Sequence, residues 1–396
     1  MKAHKIRLFP TQEQEVLLRK SCGVARFSYN WALAEWNQMY ASKEKVNEAI
    51  LRKKLNSIKE EAFPWMSEVT KCAPEQAIKN LGTAFSKFFK KKAKYPVFKK
   101  KGVNDRFYIS NDTFYVKEKN IKLPKIGKVK MAEELRFSGK IMSGVVSLDV
   151  DRWYIAISME IDESIERKED LGIIGVDLGI KTLATLSDGV VFENPKFYSK
   201  ALKRIKKLSR RLAKKKKGSK NREKAKVLLA KNHRKVRLAR KTNLHKLTTY
   251  LCNSYSTIVL EDLNVAGMVR NHKLAGSLQD SSFGMLRRFI EYKAPRTRAN
   301  VVFADRFYPS SKLCSGCGNI KHDLKLSDRI YRCERCGLVI DRDLNASINL
   351  KKLGTCCSKV KSVDMEALAY LSLMKISETI MDEAEKESRT YQTLLI

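Results

Sequence analysis

Two Cys-x-x-Cys pairs near the carboxyl end constrain the fold of this chain more than any other feature of its sequence. The pairs are Cys314/Cys317 and Cys333/Cys336, and fifteen residues separate the two inner cysteines. At this spacing two knuckles fold back on each other and offer four thiolates to one tetrahedral Zn²⁺. We therefore predict a zinc ribbon over residues 311–340, with one structural ion, because four thiolates leave no open position for water.

The charge of the chain restricts its partners. Its 396 residues include 80 lysines and arginines against 43 acidic residues, a formal net charge of +37. A field of this size and single sign favours a polyanion, either nucleic acid or an anionic membrane. No apolar run reaches the length of a bilayer span, so we predict a nucleic-acid partner and no membrane partner. The five cysteines outside the ribbon show no disulfide-like spacing, which predicts a reducing, cytosolic compartment.

The amino-terminal part combines a strand, a helical segment and a β segment. Residues 1–10 alternate polar and apolar as a strand does, and residues 11–97 are predicted to be helical. Thr11 and Gln14 are spaced as a capping box for a first helix that extends to about Ile50. Residues 98–168 are short alternating runs, typical of an antiparallel barrel or sandwich.

Acidic residues in the second half follow apolar strands or begin a helix. The run LGIIGVD ends on Asp177 and TIVLE ends on Glu261, and both runs read as buried strands. A carboxylate at the end of such a strand lies at the rim of the sheet, where functional sites collect. The adjacent Asp262 should point to the opposite face. The last acid begins a helix; the pattern fits either Asp341 or Asp343, and Asp is also a common N-cap.

Carboxylates on separate core elements suit metal-dependent phosphodiester hydrolysis. Mg²⁺ prefers oxygen ligands, and two such ions shared by carboxylates can activate a water and stabilise the leaving oxygen. The histidines of the chain are scattered without ligand spacing.

A strongly basic segment separates the first two acids. Residues 200–241 hold 21 lysines and arginines and a single acid, Glu223. Apolar residues recur at helical spacing, which predicts a helical hairpin over residues 199–245 with a break near Gly218. The unbalanced charge predicts contact with a nucleic-acid backbone. We assign this contact to six cations of the first helix: Lys203, Arg204, Lys207, Arg210, Arg211 and Lys214.

These segments resemble the TnpB family, also called OrfB transposon proteins, which is related to the type V CRISPR effector nucleases. The family's three RuvC motifs and zinc ribbon are similar to GVDLGIKTLATLSDG, to IVLEDLNVAGM and to YPSSKLCSGCG…YRCERCGLVIDRDLNASINL. The opening KAHKIRLFPTQEQ, with ARFSYNWAL, looks like the family's amino terminus. The resemblance extends to about Leu353.

The resemblance implies a multidomain fold of the α+β and α/β classes. An amino-terminal wedge-like β barrel with a helical recognition insertion precedes an RNase H-like RuvC domain with an inserted zinc ribbon. The implied boundaries are the barrel at residues 1–10 and 98–168, the insertion at 11–97, the RuvC core at 169–310, the ribbon at 311–340, the last RuvC helix at 341–355 and a tail at 356–396. The acidic tail departs from the family pattern.

The resemblance also implies an RNA-guided DNA endonuclease of the prokaryotic cytosol or nucleoid. Its guide RNA is copied from the transposon end, and its substrate is double-stranded target DNA beside a short transposon-adjacent motif. The implied catalytic acids are Asp177, Glu261 and Asp343, which hold two Mg²⁺ ions that Mn²⁺ can replace, and Asp341 becomes a structural neighbour. Two alternatives are a nuclease-silent RNA-guided DNA-binding regulator, which the intact acids disfavour, and a strand-transferring transposase of the DDE type.

Overall fold

The computed structural model describes residues 1–161, 171–325 and 327–356. The chain forms two compact units, whose described parts are residues 1–161 and residues 171–356. The predicted acidic tail therefore lies outside the described residues except for its first position, as do the last residues of the predicted β segment. Within the described ranges, no helix combines the length and apolar character needed to cross a bilayer.

The first unit holds an antiparallel sheet and three long helices. The helices are α1 (Gln12–Ala41), α2 (Glu48–Ala62) and α3 (Cys72–Phe89), and the strands are β1 (Lys2–Phe9), β2 (Arg106–Ser110), β3 (Tyr115–Lys117), β4 (Asn120–Leu123), β5 (Gly127–Met131), β6 (Lys140–Asp149) and β7 (Arg152–Glu160). The strand order is β2-β6-β7-β1-β5-β4-β3. Strand β1 thus lies inside the sheet, and the helices enter the chain between β1 and β2. Closure of this sheet into a barrel stays a prediction.

The first helix begins as predicted but ends earlier. Thr11 and Gln14 form the capping box, in which the Gln14 amide N–H donates to Thr11 Oγ1 (3.3 Å) and the Thr11 N–H donates to Gln14 Oε1 (3.1 Å). The predicted extension to about Ile50 is wrong, because Asn47 caps a second helix: its Oδ1 accepts from the Ile50 N–H at 2.9 Å.

The second unit is built on a mixed sheet of five strands. Its strands are β8 (Ile173–Asp177), β9 (Thr182–Leu186), β10 (Val191–Glu193), β11 (Thr257–Glu261) and β12 (Asn300–Ala304). A separate two-stranded sheet consists of β13 (Ile330–Arg332) and β14 (Val339–Asp341). The helices are α4 (Phe197–Ala213), α5 (Lys220–Ser254), α6 (Val265–Met268), α7 (His272–Ser281), α8 (Phe283–Thr297) and α9 (Arg342–Cys356). The order in the larger sheet is β10-β9-β8-β11-β12. Strands β8, β11 and β12 are parallel to one another, and β9 is antiparallel to both of its neighbours, β8 and β10.

Both faces of the larger sheet are covered, which explains the nearly continuous apolar strands. Ile174 and Ile258 belong to a core shared with α5 and α8, whereas Val259 packs in a smaller cluster with Leu350 of α9. The helix α9 approaches β8 closely at Gly175, where a Cβ atom would lie 2.0 Å from the Ser347 carbonyl oxygen. Only glycine allows this approach, and it brings the start of α9 towards the carboxyl ends of β8 and β11.

Candidate active site and metal centre

The four cysteines of the predicted ribbon converge in the structure. Their Sγ atoms all lie within 4.8 Å of one another, with Cys314 and Cys336 3.6 Å apart and Cys317 and Cys333 also 3.6 Å apart. Tyr331 is fully buried beneath them. Four thiol groups at this separation form a donor set that can hold one tetrahedral metal ion.

The thiols influence one another's ionisation. Backbone N–H donation from Cys336 lowers the pKa of the Cys333 thiol to about 6. The Leu338 N–H acts in the same sense on Cys336, but Cys317 and the other thiols outweigh it and raise the pKa of Cys336 to about 12. Four thiolates therefore need a cation to coexist, and the chemistry of the cluster fits a metal site.

Asp177 and Glu261 lie side by side at one edge of the larger sheet. Asp177 is the last residue of β8, Glu261 is the last residue of β11, and the preceding residues, Val176 and Leu260, pair in parallel register. Asp343 lies in the first turn of α9, the helix that covers β8 and β11. The structure thus brings the three implied catalytic acids to one region.

The surroundings of Asp177 disfavour its charged form. Burial raises the pKa of this carboxyl well above its usual range, and the negative charges of Glu261 and Asp343 raise it further. Arg342 acts in the opposite sense, and Asp341 adds a smaller contribution than Asp343. A cation bound among these acids would reverse the balance, because a nearby positive charge stabilises each carboxylate.

Hydrogen bonds separate the roles of Asp341 and Asp343, which the sequence pattern left open. Asp341 Oδ1 accepts from the backbone N–H groups of Asp343 (2.9 Å) and Leu344 (3.1 Å), so Asp341 is the N-cap of α9. The Asp343 carboxylate is instead held by Arg342, whose Nη2 lies 3.3 Å from Asp343 Oδ1. Asp341 therefore caps the start of α9, whereas Asp343 is paired with Arg342 and acts on the Asp177 carboxyl more strongly than Asp341 does.

Asp262 points away from the acidic group, as its place after Glu261 predicts. Its carboxylate pairs with Arg287 (2.5 Å) and Arg306 (3.0 Å). The Arg287 hydrogen bond lowers the pKa of Asp262, so this acid is an ionised partner of two guanidinium groups.

Two buried asparagines attach the ribbon to α9, and the sequence reasoning missed them. Asn345 Nδ2 donates to the Leu313 carbonyl (2.7 Å), and Asn345 Oδ1 accepts from the Ser315 N–H (2.9 Å). Asn349, one turn later, donates through Nδ2 to the carbonyls of Ser310 (2.8 Å) and Leu313 (2.6 Å). The signal was present as two asparagines four residues apart on the buried face of a helix, because buried amides need specific partners.

Ser310 extends this connection to the acidic group. Its hydroxyl is buried and donates to Glu261 Oε1, while its carbonyl accepts from Asn349. The residue just before the ribbon thus contacts both α9 and the carboxylate at the end of β11. Ser310 fixes one oxygen of Glu261 and leaves the other available to a ligand.

The predicted helical hairpin consists of α4 and α5. The six cations assigned to nucleic-acid contact are all exposed, the first five on α4 and the last at its C-cap: Lys203, Arg204, Lys207, Arg210, Arg211 and Lys214. The opposite face of α4 is buried against α5 through Ile205, Leu208 and Leu212. Asp280 of α7 accepts from the Tyr198 N–H (3.0 Å) and from Arg240 Nε (2.9 Å), which fixes the base of the hairpin.

Three family profiles match the chain. The OrfB_IS605 profile, described as "Probable transposase", matches residues 156–272. The associated helix-turn-helix domain matches residues 1–45, and the Cas12f1-like TNB domain matches residues 283–350, which include the four cysteines. These matches define a protein of the transposon-associated class.

Relatives extend the similarity to most of the chain. A protein of Streptomyces pristinaespiralis named as a candidate RNA-guided DNA endonuclease is 34% identical over 365 residues, 90% of each chain. The protein InsQ of Escherichia coli K12, also named as a candidate RNA-guided DNA endonuclease, is 30% identical over 89% of this chain and 92% of its own. The chain belongs to the OrfB, or TnpB, family, as the sequence resemblance predicted.

A solved structure resembles the chain in fold. The cryo-EM structure of the Cas12f1-sgRNA-target DNA complex matches 85% of this chain and 83% of the Cas12f1 chain, with a TM-score of 0.53. The sequence identity is 15%, so the similarity concerns the fold alone.

Proposed function

We propose that this protein is an RNA-guided DNA endonuclease that hydrolyses target DNA at a RuvC-type site formed by Asp177, Glu261 and Asp343. The observation that carries the proposal is the convergence of these acids: Asp177 and Glu261 end neighbouring parallel strands, and Asp343 begins the helix packed on them. The raised pKa of Asp177, to which the charges of Glu261 and Asp343 contribute, agrees with this placement. Partly buried carboxylates close to one another favour a bound cation, because a cation offsets the repulsion between their charges. The guide RNA and the DNA substrate in this proposal are taken from the names of the relatives.

The topology of the second unit supports an RNase H-like interpretation of this domain. Two antiparallel strands at one end of the sheet, β9 and β10, are followed by the parallel strands β8, β11 and β12. In a parallel arrangement the carboxyl ends of neighbouring strands meet at one edge, where Asp177 and Glu261 stand.

Two kinds of metal site follow from the donor sets. The four thiols of the ribbon fit one structural Zn²⁺, whereas the oxygen donors of Asp177, Glu261 and Asp343 fit a pair of shared Mg²⁺ ions, which Mn²⁺ can replace. When bound, Mg²⁺ supplies an activated water and stabilises charge on the phosphate. The zinc site has no open position for substrate, so its role is to fold the ribbon.

The residues around the acids keep them oriented. Ser310 donates a hydrogen bond to Glu261, Arg342 holds one oxygen of Asp343, and Asp341 fixes the start of α9. None of these contacts needs to change during a reaction, so the carboxylates are arranged before substrate binds. Such preorganisation lowers the cost of aligning water, phosphate and leaving group.

The exposed cations of α4 are the proposed contact for a nucleic-acid backbone. Replacing Lys207 and Arg211 together by alanine should weaken binding of duplex DNA and make it less dependent on salt, with a slope smaller by about 0.9 for each phosphate that the protein no longer neutralises. Fluorescence anisotropy at several salt concentrations measures this slope. Lys53→Ala, which removes an exposed lysine of α2, is the control and should leave the slope unchanged. An unchanged slope in the double variant would remove α4 from the proposed interface.

Sequencing of the RNA that co-purifies with the protein tests the guide. A single RNA species from the transposon end, able to direct cutting of a plasmid with a matching target in Mg²⁺, is the expected result. Binding of guide and target without any cutting would favour the regulator instead. Joining of transposon ends to DNA without RNA would favour a DDE-type transposase.

Ser310 is the positioning residue whose effect separates orientation from folding. Ser310→Ala should lower the DNA cleavage rate by about 10- to 100-fold, because one hydrogen bond to a charged group is worth roughly 1.5–3 kcal/mol. The Mg²⁺ concentration for half-maximal cleavage should rise, while the zinc content stays near that of the unmodified protein. Ser310→Thr keeps the hydroxyl and should restore the Mg²⁺ dependence. Equal Mg²⁺ dependence in Ser310→Ala would contradict the positioning role.

A further inference from the structure

The last residue of α3 and the segment that follows it expose aromatic and aliphatic side chains among lysines. Residues 89–101, here called the lysine–aromatic loop, contain seven lysines and no acidic residue. Phe89 is 60% exposed, Val97 66% and Phe98 54%. Exposed apolar groups of this size in a cationic surface usually mark a binding site.

The loop is held in place and is not a loose basic tail. Asn30 of α1 binds the backbone of Lys99 twice, through Nδ2 to the Lys99 carbonyl (3.0 Å) and through Oδ1 from the Lys99 N–H (2.7 Å). The Lys99 ammonium lies 3.7 Å from the centre of the Tyr29 ring. Tyr95 donates its hydroxyl to Asn37 Oδ1 at 2.6 Å. Four contacts with one helix thus fix the backbone on both sides of Phe98.

These anchors divide the side chains of the loop into two sets. The ring of Tyr95 packs edge-on against Phe85 and Phe88, at 5.5 and 5.1 Å between centroids, so Tyr95, although 47% exposed, attaches the loop to α3. Phe98 remains half exposed, and the neighbouring Lys100 and Lys101 are exposed. A fixed aromatic face with flanking cations has the composition of a surface on which an unpaired base stacks while lysines neutralise its phosphates.

We propose that the lysine–aromatic loop binds an unpaired polynucleotide strand, with Phe98 stacking on a base and Lys100 and Lys101 contacting the backbone. Paired bases keep their faces covered by neighbouring base pairs, so the ring selects a single strand over a duplex. This inference rests on the proposed function only in that the protein handles nucleic acid. It requires neither cleavage nor a guide.

Anisotropy of labelled 12-nucleotide oligo(U), oligo(dT) and a 12-base-pair duplex, with full-length protein and no added Mg²⁺, tests the proposal. Phe98→Ala should raise the dissociation constant of oligo(U), oligo(dT) or both by about fivefold or more. The dissociation constant of the duplex should change by less than about twofold. Lys100→Ala should lower the salt slope for the single strand by about 0.7. The matched control is Tyr115→Ala, which removes an exposed aromatic ring of β3 in the same unit and should change neither value.

Photo-crosslinking locates the strand directly, because the hairpin also offers cations. Probes with 4-thiouridine in RNA or 4-thiothymidine in DNA should crosslink to residues 89–101, and the more efficient probe identifies the strand type. Crosslinks confined to α4, or equal single-strand binding by Phe98→Ala, would overturn the inference while leaving the proposed function intact. Binding to phosphatidylserine vesicles that Phe98→Ala abolishes, with oligonucleotide binding unaltered, would assign the loop to a membrane and also overturn it. Failure of the unmodified protein to bind any oligonucleotide would contradict the proposed function as well.

Discussion

The Asp177→Ala protein should bind guide RNA and target DNA like the unmodified protein but should cut DNA at a rate lower by at least about 10²–10³-fold, the typical effect of removing one preorganised electrostatic group. The charges of Glu261 and Asp343 both act on the Asp177 carboxyl, so Asp177 lies between the other two acids of the proposed site. Its removal would take a central ligand from the proposed Mg²⁺ ions. Cleavage of a matched plasmid in Mg²⁺ and gel-shift binding of the same target measure the two properties separately.

The same variant has a second signature that loss of fold would not produce. A partly buried carboxylate among like charges is unfavourable in the absence of a cation, so its removal should leave the melting temperature in Mg²⁺-free buffer equal or higher. Asp262→Asn is the matched control, because Asp262 follows Glu261 and faces Arg287 and Arg306 instead. Its cleavage rate should remain close to that of the unmodified protein. Retained cutting by Asp177→Ala would refute the proposed site.

Substitution of Cys333 by serine should remove zinc and most of the cleavage activity together. A structural zinc ion contributes an apparent free energy of about 10–16 kcal/mol at neutral pH in small zinc domains, so three thiolates cannot keep the ribbon folded. The effect should reach the acids because Asn345 and Asn349 of α9 hydrogen-bond to the backbone at the start of the first knuckle. The same helix carries Asp343.

Metal analysis and cleavage assays on the same preparation test this coupling. Cys72→Ser is the control, since Cys72 lies in the first unit, outside the thiol cluster, and contacts Ser110. That variant should keep one zinc per chain and normal cutting. Full activity in a zinc-free Cys333→Ser protein would show that the acids are arranged independently of the ribbon.

Sequence reasoning located features that depend on short stretches of chain. The cysteine spacing predicted the thiol cluster, Thr11 and Gln14 predicted a cap, and the apolar runs predicted strands ending on Asp177 and Glu261. Each of these depends on spacing or on neighbours a few residues away. The catalytic assignment of Asp177, Glu261 and Asp343 is part of the proposed function.

The features that were left open or missed depend on contacts that only the folded chain makes. The sequence pattern left the choice between Asp341 and Asp343 open, and the hydrogen bonds of the helix start show that Asp341 is the cap. The link from Asn349 through Ser310 to Glu261 joins three segments that no periodicity connects. The early end of α1 was missed because Asn47 can act as a cap only where the chain has already left the helix.

The inner position of β1 has a consequence for biosynthesis. Leu8 pairs with Met131 in β5, and Lys2 pairs with Met159 in β7, so the first strand leaves the ribosome long before either partner. At elongation rates of about 5–20 residues per second, β1 waits roughly 6–25 seconds for its first neighbour. The helices α1 to α3 are complete earlier and are built from local contacts, so they can fold during this delay. Expression conditions that slow translation should therefore lengthen the time during which β1 is unpaired, and they should increase aggregation.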